Sequence, residues 1–140
     1  MAWNTSGRFA LNGTGVDGMS DAVFDSNILI DYLNHVPQAR QELLSFQEAA
    51  ISVISWIEVM AGAANAWEER DARRLLQGFT VIEIDDAIRE TTVIIRRDRR
   101  MRLPDAIILA TAETRDLPLV TRNAKDFNPA DPRIRIPYQL

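Results

Sequence analysis

Four short apolar runs, each followed by longer stretches of helical periodicity, constrain this chain more than any other feature. The runs cover residues 22–24, 50–54, 80–84 and 118–121. Each is strand-length and largely apolar instead of alternating, the pattern of strands buried on both faces. Helical patterns follow at 28–33 and 38–47, at 55–64 and 67–77, and at 87–102 and 105–115. Pro37 suits a helix start, and Pro104 separates the last two patterns. Such alternation predicts crossover units, hence an α/β fold with a parallel sheet and helices on both sides. Residues 134–136 add a last short strand.

The chain has 140 residues, so one domain at 21–140 can bury a sizeable core. Residues 1–20 hold four of the six glycines and no apolar periodicity. They are expected to be a flexible extension, upstream of a natural start at Met19, and contain no secretory signal core. Cys is absent, which excludes disulfides, zinc–thiolate sites and a Cys nucleophile. The single histidine, His35, excludes a catalytic His pair within one chain and reads as a loop residue. No apolar run approaches the roughly 18 residues a membrane span needs, and a cytoplasmic protein is expected. The formal net charge of −4 does not by itself announce a nucleic-acid binder.

In an open parallel sheet, ligands bind beyond the carboxyl ends of the strands. The polar residues there are Asp25-Ser26-Asn27, then Ser55 and Glu58, then Asp85 and Asp86, then Thr121-Arg122-Asn123 with Asp126. Asp105 opens a mostly apolar helix. Each has a local explanation: Asp25, Asp85 and Asp86 as helix caps, Ser55-x-x-Glu58 as a capping box, Asp105 in a first helical turn, Asn123 and Asp126 in a turn. Together they gather several carboxylates at one sheet edge. Two carboxylates about 5 Å apart repel by roughly 3 kcal/mol at an effective dielectric near 20, which invites a cation. With no Cys and one His the available ligands are oxygens, suited to Mg²⁺ or Mn²⁺.

Four segments carry a family resemblance: Val23-Phe24-Asp25-Ser26-Asn27-Ile28-Leu29-Ile30, Ile54-Ser55-Trp56-Ile57-Glu58-Val59-Met60-Ala61-Gly62, Leu103-Pro104-Asp105-Ala106-Ile107-Ile108-Leu109-Ala110-Thr111-Ala112, and Leu119-Val120-Thr121-Arg122-Asn123-Ala124-Lys125-Asp126-Phe127. In this order and spacing, over residues 21–137, they resemble the motifs of PIN-domain ribonucleases, and among these the VapC-type toxins. The resemblance implies a three-layer α/β/α fold with strand order 3-2-1-4-5 and Mg²⁺-dependent endoribonuclease activity. It also implies an RNA substrate, a cognate antitoxin and a homodimer.

By motif position the resemblance makes Asp25 and Asp105 metal-binding aspartates and Glu58 the second acidic residue. Asn123 stands where the family commonly has Asp, with Asp126 as a supporting group. Ser26 is placed to hold Asp25 or a phosphate. The basic run 96–102 reads both as a cationic helix end and as a phosphate-contacting ridge through Arg99, Arg100 and Arg102, with Arg122 a further phosphate contact. Trp56, Trp67, Phe79 and Phe127 are expected to pack. An RNA-processing nuclease without an antitoxin and a non-catalytic domain of the same fold stay open as alternatives. A receiver or phosphatase is disfavoured, since neither an acidic pair nor an Asp-x-Asp follows the first run.

Overall fold

The computed structural model describes residues 19–140; the expected N-terminal extension otherwise lies outside the described residues. The elements run β1 (Met19–Phe24), α1 (Ser26–Leu33), α2 (Pro37–Leu44), β2 (Phe46–Ser52), α3 (Val53–Ala61), α4 (Ala66–Leu76), β3 (Thr80–Ile82), α5 (Asp86–Arg99), α6 (Leu103–Thr114), β4 (Leu119–Val120) and β5 (Ile134–Arg135). Their five-stranded sheet has the order β3-β2-β1-β4-β5, and every pairing is parallel. β1 begins at Met19, two residues before the expected domain start at residue 21.

Successive residues of a strand point to opposite faces, which explains the unbroken apolar runs. Ala22 and Phe24 of β1, Ala49 and Ile51 of β2 and Val120 of β4 enter one core, under α1, α2, α3 and α4. Val23, Ala50 and Leu119 enter the other, under α5 and α6. Phe24 anchors the first core, edge-on to Phe46 at 5.1 Å and to Phe79 at 6.2 Å. On the opposite side α6 is buried at every position from 105 to 112, so its N-terminal turn is held rigidly against the sheet. Among the described residues no helix is long and apolar enough to cross a membrane.

The largest departures lie at element ends. The expected helix 38–47 stops at Leu44, where the Ser45 hydroxyl donates to the Glu42 carbonyl at 2.7 Å, and Phe46 starts a strand. The apolar run 50–54 spans a junction: Ser52 ends β2 and caps α3, accepting from the Ile54 N–H at 3.1 Å. Hydrophobicity continues across that junction because Ala50 and Ile51 are buried in β2 and Val53 and Ile54 are half-buried at the start of α3. Pro37 does start α2, and His35 lies in the α1–α2 turn with φ of 64°. Phe79 and Phe127 are buried and Trp56 is half-buried, as expected. Trp67 is not: it is 66 % exposed, with the Arg70 guanidinium 4.3 Å from its ring centre.

Candidate active site

In this strand order the direction of chain progression reverses between β1 and β4, which is where an open α/β sheet forms its crevice. β1 delivers Asp25 to that point and β4 delivers Thr121, bridged by the Asp25 N–H donating to the Val120 carbonyl at 2.9 Å. Asp25 is the N-cap of α1, and its Oδ1 accepts from the Ser26 N–H at 2.7 Å. Its Oδ2 accepts from the Thr121 hydroxyl at 2.8 Å and from Asn27 Nδ2 at 3.2 Å. Ser26 then donates its hydroxyl to Glu58 Oε1 at 2.6 Å, so one residue joins the first two acidic positions.

That contact removes the capping-box reading of Ser55 and Glu58. The cap of α3 is Ser52, and Glu58 sits beyond the first turn, facing α1. The Ser55 hydroxyl is buried without a hydrogen-bond partner, and nothing in the structure explains it. Asp85 does cap α5, accepting from the Ile88 N–H at 2.9 Å, and its other oxygen accepts from Arg115 Nη1 at 3.1 Å.

Asp105 lies in the first turn of α6, 8 % exposed, and its Oδ2 is buried without a hydrogen-bond partner. The nearest cation is Arg102, with Nε 3.7 Å away, beyond hydrogen-bond reach. Burial pushes the Asp25 carboxyl up from 3.8 to about 6 against the hydrogen bonds from Thr121 and Ser26, and the charges of Asp105 and Glu58 push it further. Burial also raises Asp105; Arg102 opposes the rise, while Asp126 and Glu58 add to it. The three acidic side chains thus share one electrostatic neighbourhood.

Asn123 and Asp126 form a closed turn. Asn123 Nδ2 donates to Asp126 Oδ2 at 2.8 Å, and the Asp126 N–H donates to Asn123 Oδ1 at 3.1 Å. The Asn123 amide is therefore engaged in its own loop, and Asp126 is the acidic group that this loop brings toward Asp105. Arg122 is engaged as well, gripping Asp31 of α1 through Nε at 2.6 Å and Nη2 at 3.0 Å. Arg99 lies 3.9 Å from Glu113, and Arg100 ends α5 in a left-handed conformation. Thr121 and Asn27 are site residues that the sequence places at the strand ends but to which it assigns no role. Both flank the singled-out positions, but their contacts join residues 94 to 96 positions apart.

Among the described residues no three His, Asp or Glu side chains form a ready-made metal cage. The donor set nevertheless fits Mg²⁺, which keeps several waters and takes one or two carboxylates. An orphaned buried carboxylate oxygen on Asp105, and two carboxyls whose ionisation burial opposes, are what such an ion would relieve.

The PIN domain family matches residues 22–131 of the chain. "Ribonuclease VapC10" from Mycobacterium tuberculosis is 37 % identical over 124 residues, covering 83 % of this chain and 92 % of the relative. Among solved structures, a chain of a toxin–antitoxin complex from Klebsiella pneumoniae is 43 % identical with a TM-score of 0.79, covering 85 % of this chain and 99 % of its own. FitAcB from Neisseria gonorrhoeae, 20 % identical with a TM-score of 0.72 and coverages of 85 % and 99 %, shares the fold.

Proposed function

This chain belongs to the PIN domain family, and on that premise we propose that it is a divalent-cation-dependent endoribonuclease, the cytoplasmic toxin of a toxin–antitoxin pair. The observation that carries the reading is the buried carboxylate pair Asp25 and Asp105, one with an unpartnered oxygen, at the sheet's switch point with Glu58 beside it. The 37 % identical ribonuclease and the 43 % identical toxin–antitoxin chain support the activity and the partner class.

Asp25 and Asp105 would hold Mg²⁺, or Mn²⁺ in its place. The bound ion would supply charge neutralisation and Lewis acidity at the scissile phosphate. The chain's own groups do the rest. Ser26 fixes Asp25 through its backbone N–H and Glu58 through its hydroxyl. Glu58, half-buried at the pocket edge, is placed to orient a water for attack on phosphorus. Asp126, locked by Asn123, adds negative potential that strengthens cation retention at Asp105. Exposed Arg99, Arg100 and Arg102, where α5 hands over to α6, are suited to phosphate contacts flanking the pocket.

An antitoxin would cover the pocket and place a basic side chain toward Asp25 and Asp105. A cleft of about 350 Å³ between α1, α3 and α4, lined in part by Ile30, Leu33, Val59 and Ala72, supports docking of its apolar residues there. Val93 and Ile94 on α5 are exposed apolar surface for pairing with a second copy. The test is cleavage of RNA by the purified chain with Mg²⁺ and with chelator, alongside Asp25→Asn and Asp105→Asn. Cleavage that needs the cation and is lost in both variants supports the reading. Cation-independent cleavage, or activity retained in both variants, overturns it.

A further inference from the structure

Arg122 is a conspicuous cation at the mouth of β4, yet its side chain turns inward. Its Nε and Nη2 grip Asp31, which is 4 % exposed, and Tyr138 near the C-terminus donates its hydroxyl to Asp31 Oδ2 at 2.7 Å. The Arg122 backbone N–H donates to Asn27 Oδ1 at 3.1 Å. Asn27 and Asp31 lie four residues apart on α1, hence on one helix face. A single residue therefore fastens the β4 exit to α1 at two points, one through backbone and one through guanidinium.

The consequence reaches Asp25 through a hydrogen-bond network whose directions are forced. With its oxygen turned to the Arg122 N–H, Asn27 points its Nδ2 protons at Asp25 Oδ2 and at Thr121 Oγ1, 3.2 Å from each. The Thr121 oxygen accepts from that amide and from the Asn123 N–H at 3.0 Å. A hydroxyl has two acceptor lone pairs and one proton. Both lone pairs are used, so the proton goes to Asp25 Oδ2, 2.8 Å away. A carboxylate has about four lone-pair sites, two on each oxygen. Oδ2 of Asp25 is filled by Thr121 and Asn27, and Oδ1 is half filled by the Ser26 N–H. The site left for a cation is on Oδ1.

We propose that Arg122, clamped by Asp31 and Tyr138, is a positioning residue that holds Asn27 and Thr121 on Asp25 Oδ2 and so reserves Asp25 Oδ1 for the cation. This deepens the function proposed above and rests on it. The C-terminal segment thereby contributes to cation affinity although Tyr138 touches no acidic residue of the pocket. Arg122 would then act through the cation site, whereas a phosphate-contacting arginine would act through RNA affinity.

The experiment measures Mn²⁺ affinity of the full chain without RNA by electron paramagnetic resonance, and separately kcat and KM for RNA at saturating cation. Variants are Arg122→Lys, which keeps the charge and loses the fork, Tyr138→Phe, which loses only a hydroxyl, and the pair Thr121→Val and Thr121→Ser. Expected are at least fivefold weaker Mn²⁺ binding in Arg122→Lys, Tyr138→Phe and Thr121→Val. Near-normal binding in Thr121→Ser and an unchanged KM for RNA complete the expectation. If Arg122→Lys fails to fold, Tyr138→Phe decides, because it removes a hydrogen bond from Asp31 Oδ2 and loosens the grip on Arg122 while leaving both charges in place. Mn²⁺ affinity within twofold of wild type in the folded variants overturns the proposal, as does a raised KM with unchanged Mn²⁺ affinity. Wild-type protein that binds no Mn²⁺ instead overturns the reading of the site itself.

Discussion

Removing the charge of Asp25 should change how stability depends on pH. Its carboxyl is raised from 3.8 to about 6, with burial the first cause. Between those values the folded protein holds a proton that the unfolded chain has released, so stability falls as pH rises through this window. At 1.36 kcal/mol per pH unit the full effect is roughly 3 kcal/mol, complete above about pH 7. Asparagine cannot titrate. It replaces one acceptor with a donor, against either Ser26 or Thr121 and Asn27, which costs roughly 1–2 kcal/mol at every pH. The stability of Asp25→Asn relative to wild type should therefore improve by about 2.5 kcal/mol between pH 4 and pH 7.5, whatever its offset. For a domain of this size that is on the order of 10 °C in relative melting temperature. Melting both proteins in chelator across that range makes the comparison, and adding Mg²⁺ should flatten the wild-type profile by favouring the charged form. Parallel pH profiles for the two proteins would refute the buried, mutually repelling carboxylates.

Three further outcomes are expected. Glu58→Gln keeps an oxygen for the Ser26 hydroxyl, so stability should stay within about 0.5 kcal/mol; activity should drop at least tenfold, about 1.4 kcal/mol of transition-state stabilisation, and a loss under twofold would remove Glu58 from the chemistry. Replacing Arg99, Arg100 and Arg102 together by Gln should weaken binding to all RNAs alike and flatten its salt dependence; an unchanged salt slope, read from binding titrations, would leave those arginines with a helix-end role only. Ser52→Ala should cost about 1 kcal/mol as the lost cap of α3, while Ser55→Ala, which removes an unpartnered buried hydroxyl, should be neutral or stabilising in urea melts.

The order of elements and the sheet edge carrying the site were legible because burial on both faces leaves unbroken apolar runs, as in 22–24 and 118–121. Element ends were less so. Ser52 and Ser55 both stand before apolar helical residues, and only three-dimensional packing selects Ser52 as the cap. Asp25, Glu58 and Asp105 were singled out by the family resemblance of the motifs that carry them, the residues alone offering only a gathering of carboxylates at one sheet edge. The groups that orient them were given no role, since Asn27, Thr121, Asp31 and Tyr138 are ordinary residues whose meaning comes from partners about 90 to 110 positions away. Arg122 shows the same limit in reverse. Its sequence neighbours suggest an outward phosphate contact, whereas its guanidinium is committed to Asp31. Trp67 was expected to pack with the other aromatic residues, but it falls on the outer side of α4 among charged residues.

On the proposed mechanism the pocket formed by Asp25, Glu58 and Asp105 cuts RNA by directing water at phosphorus. The only histidine, His35, sits in the α1–α2 turn, so the chain offers no imidazole pair to drive attack by the ribose 2′-hydroxyl. Mapping the ends of RNA cleaved by the purified chain in Mg²⁺ tests this most directly. Expected are 5′-phosphate and 3′-hydroxyl ends that vanish with chelator and with Asp25→Asn. Recovery of 2′,3′-cyclic phosphate ends from wild-type protein, absent from a parallel Asp25→Asn preparation, would contradict it.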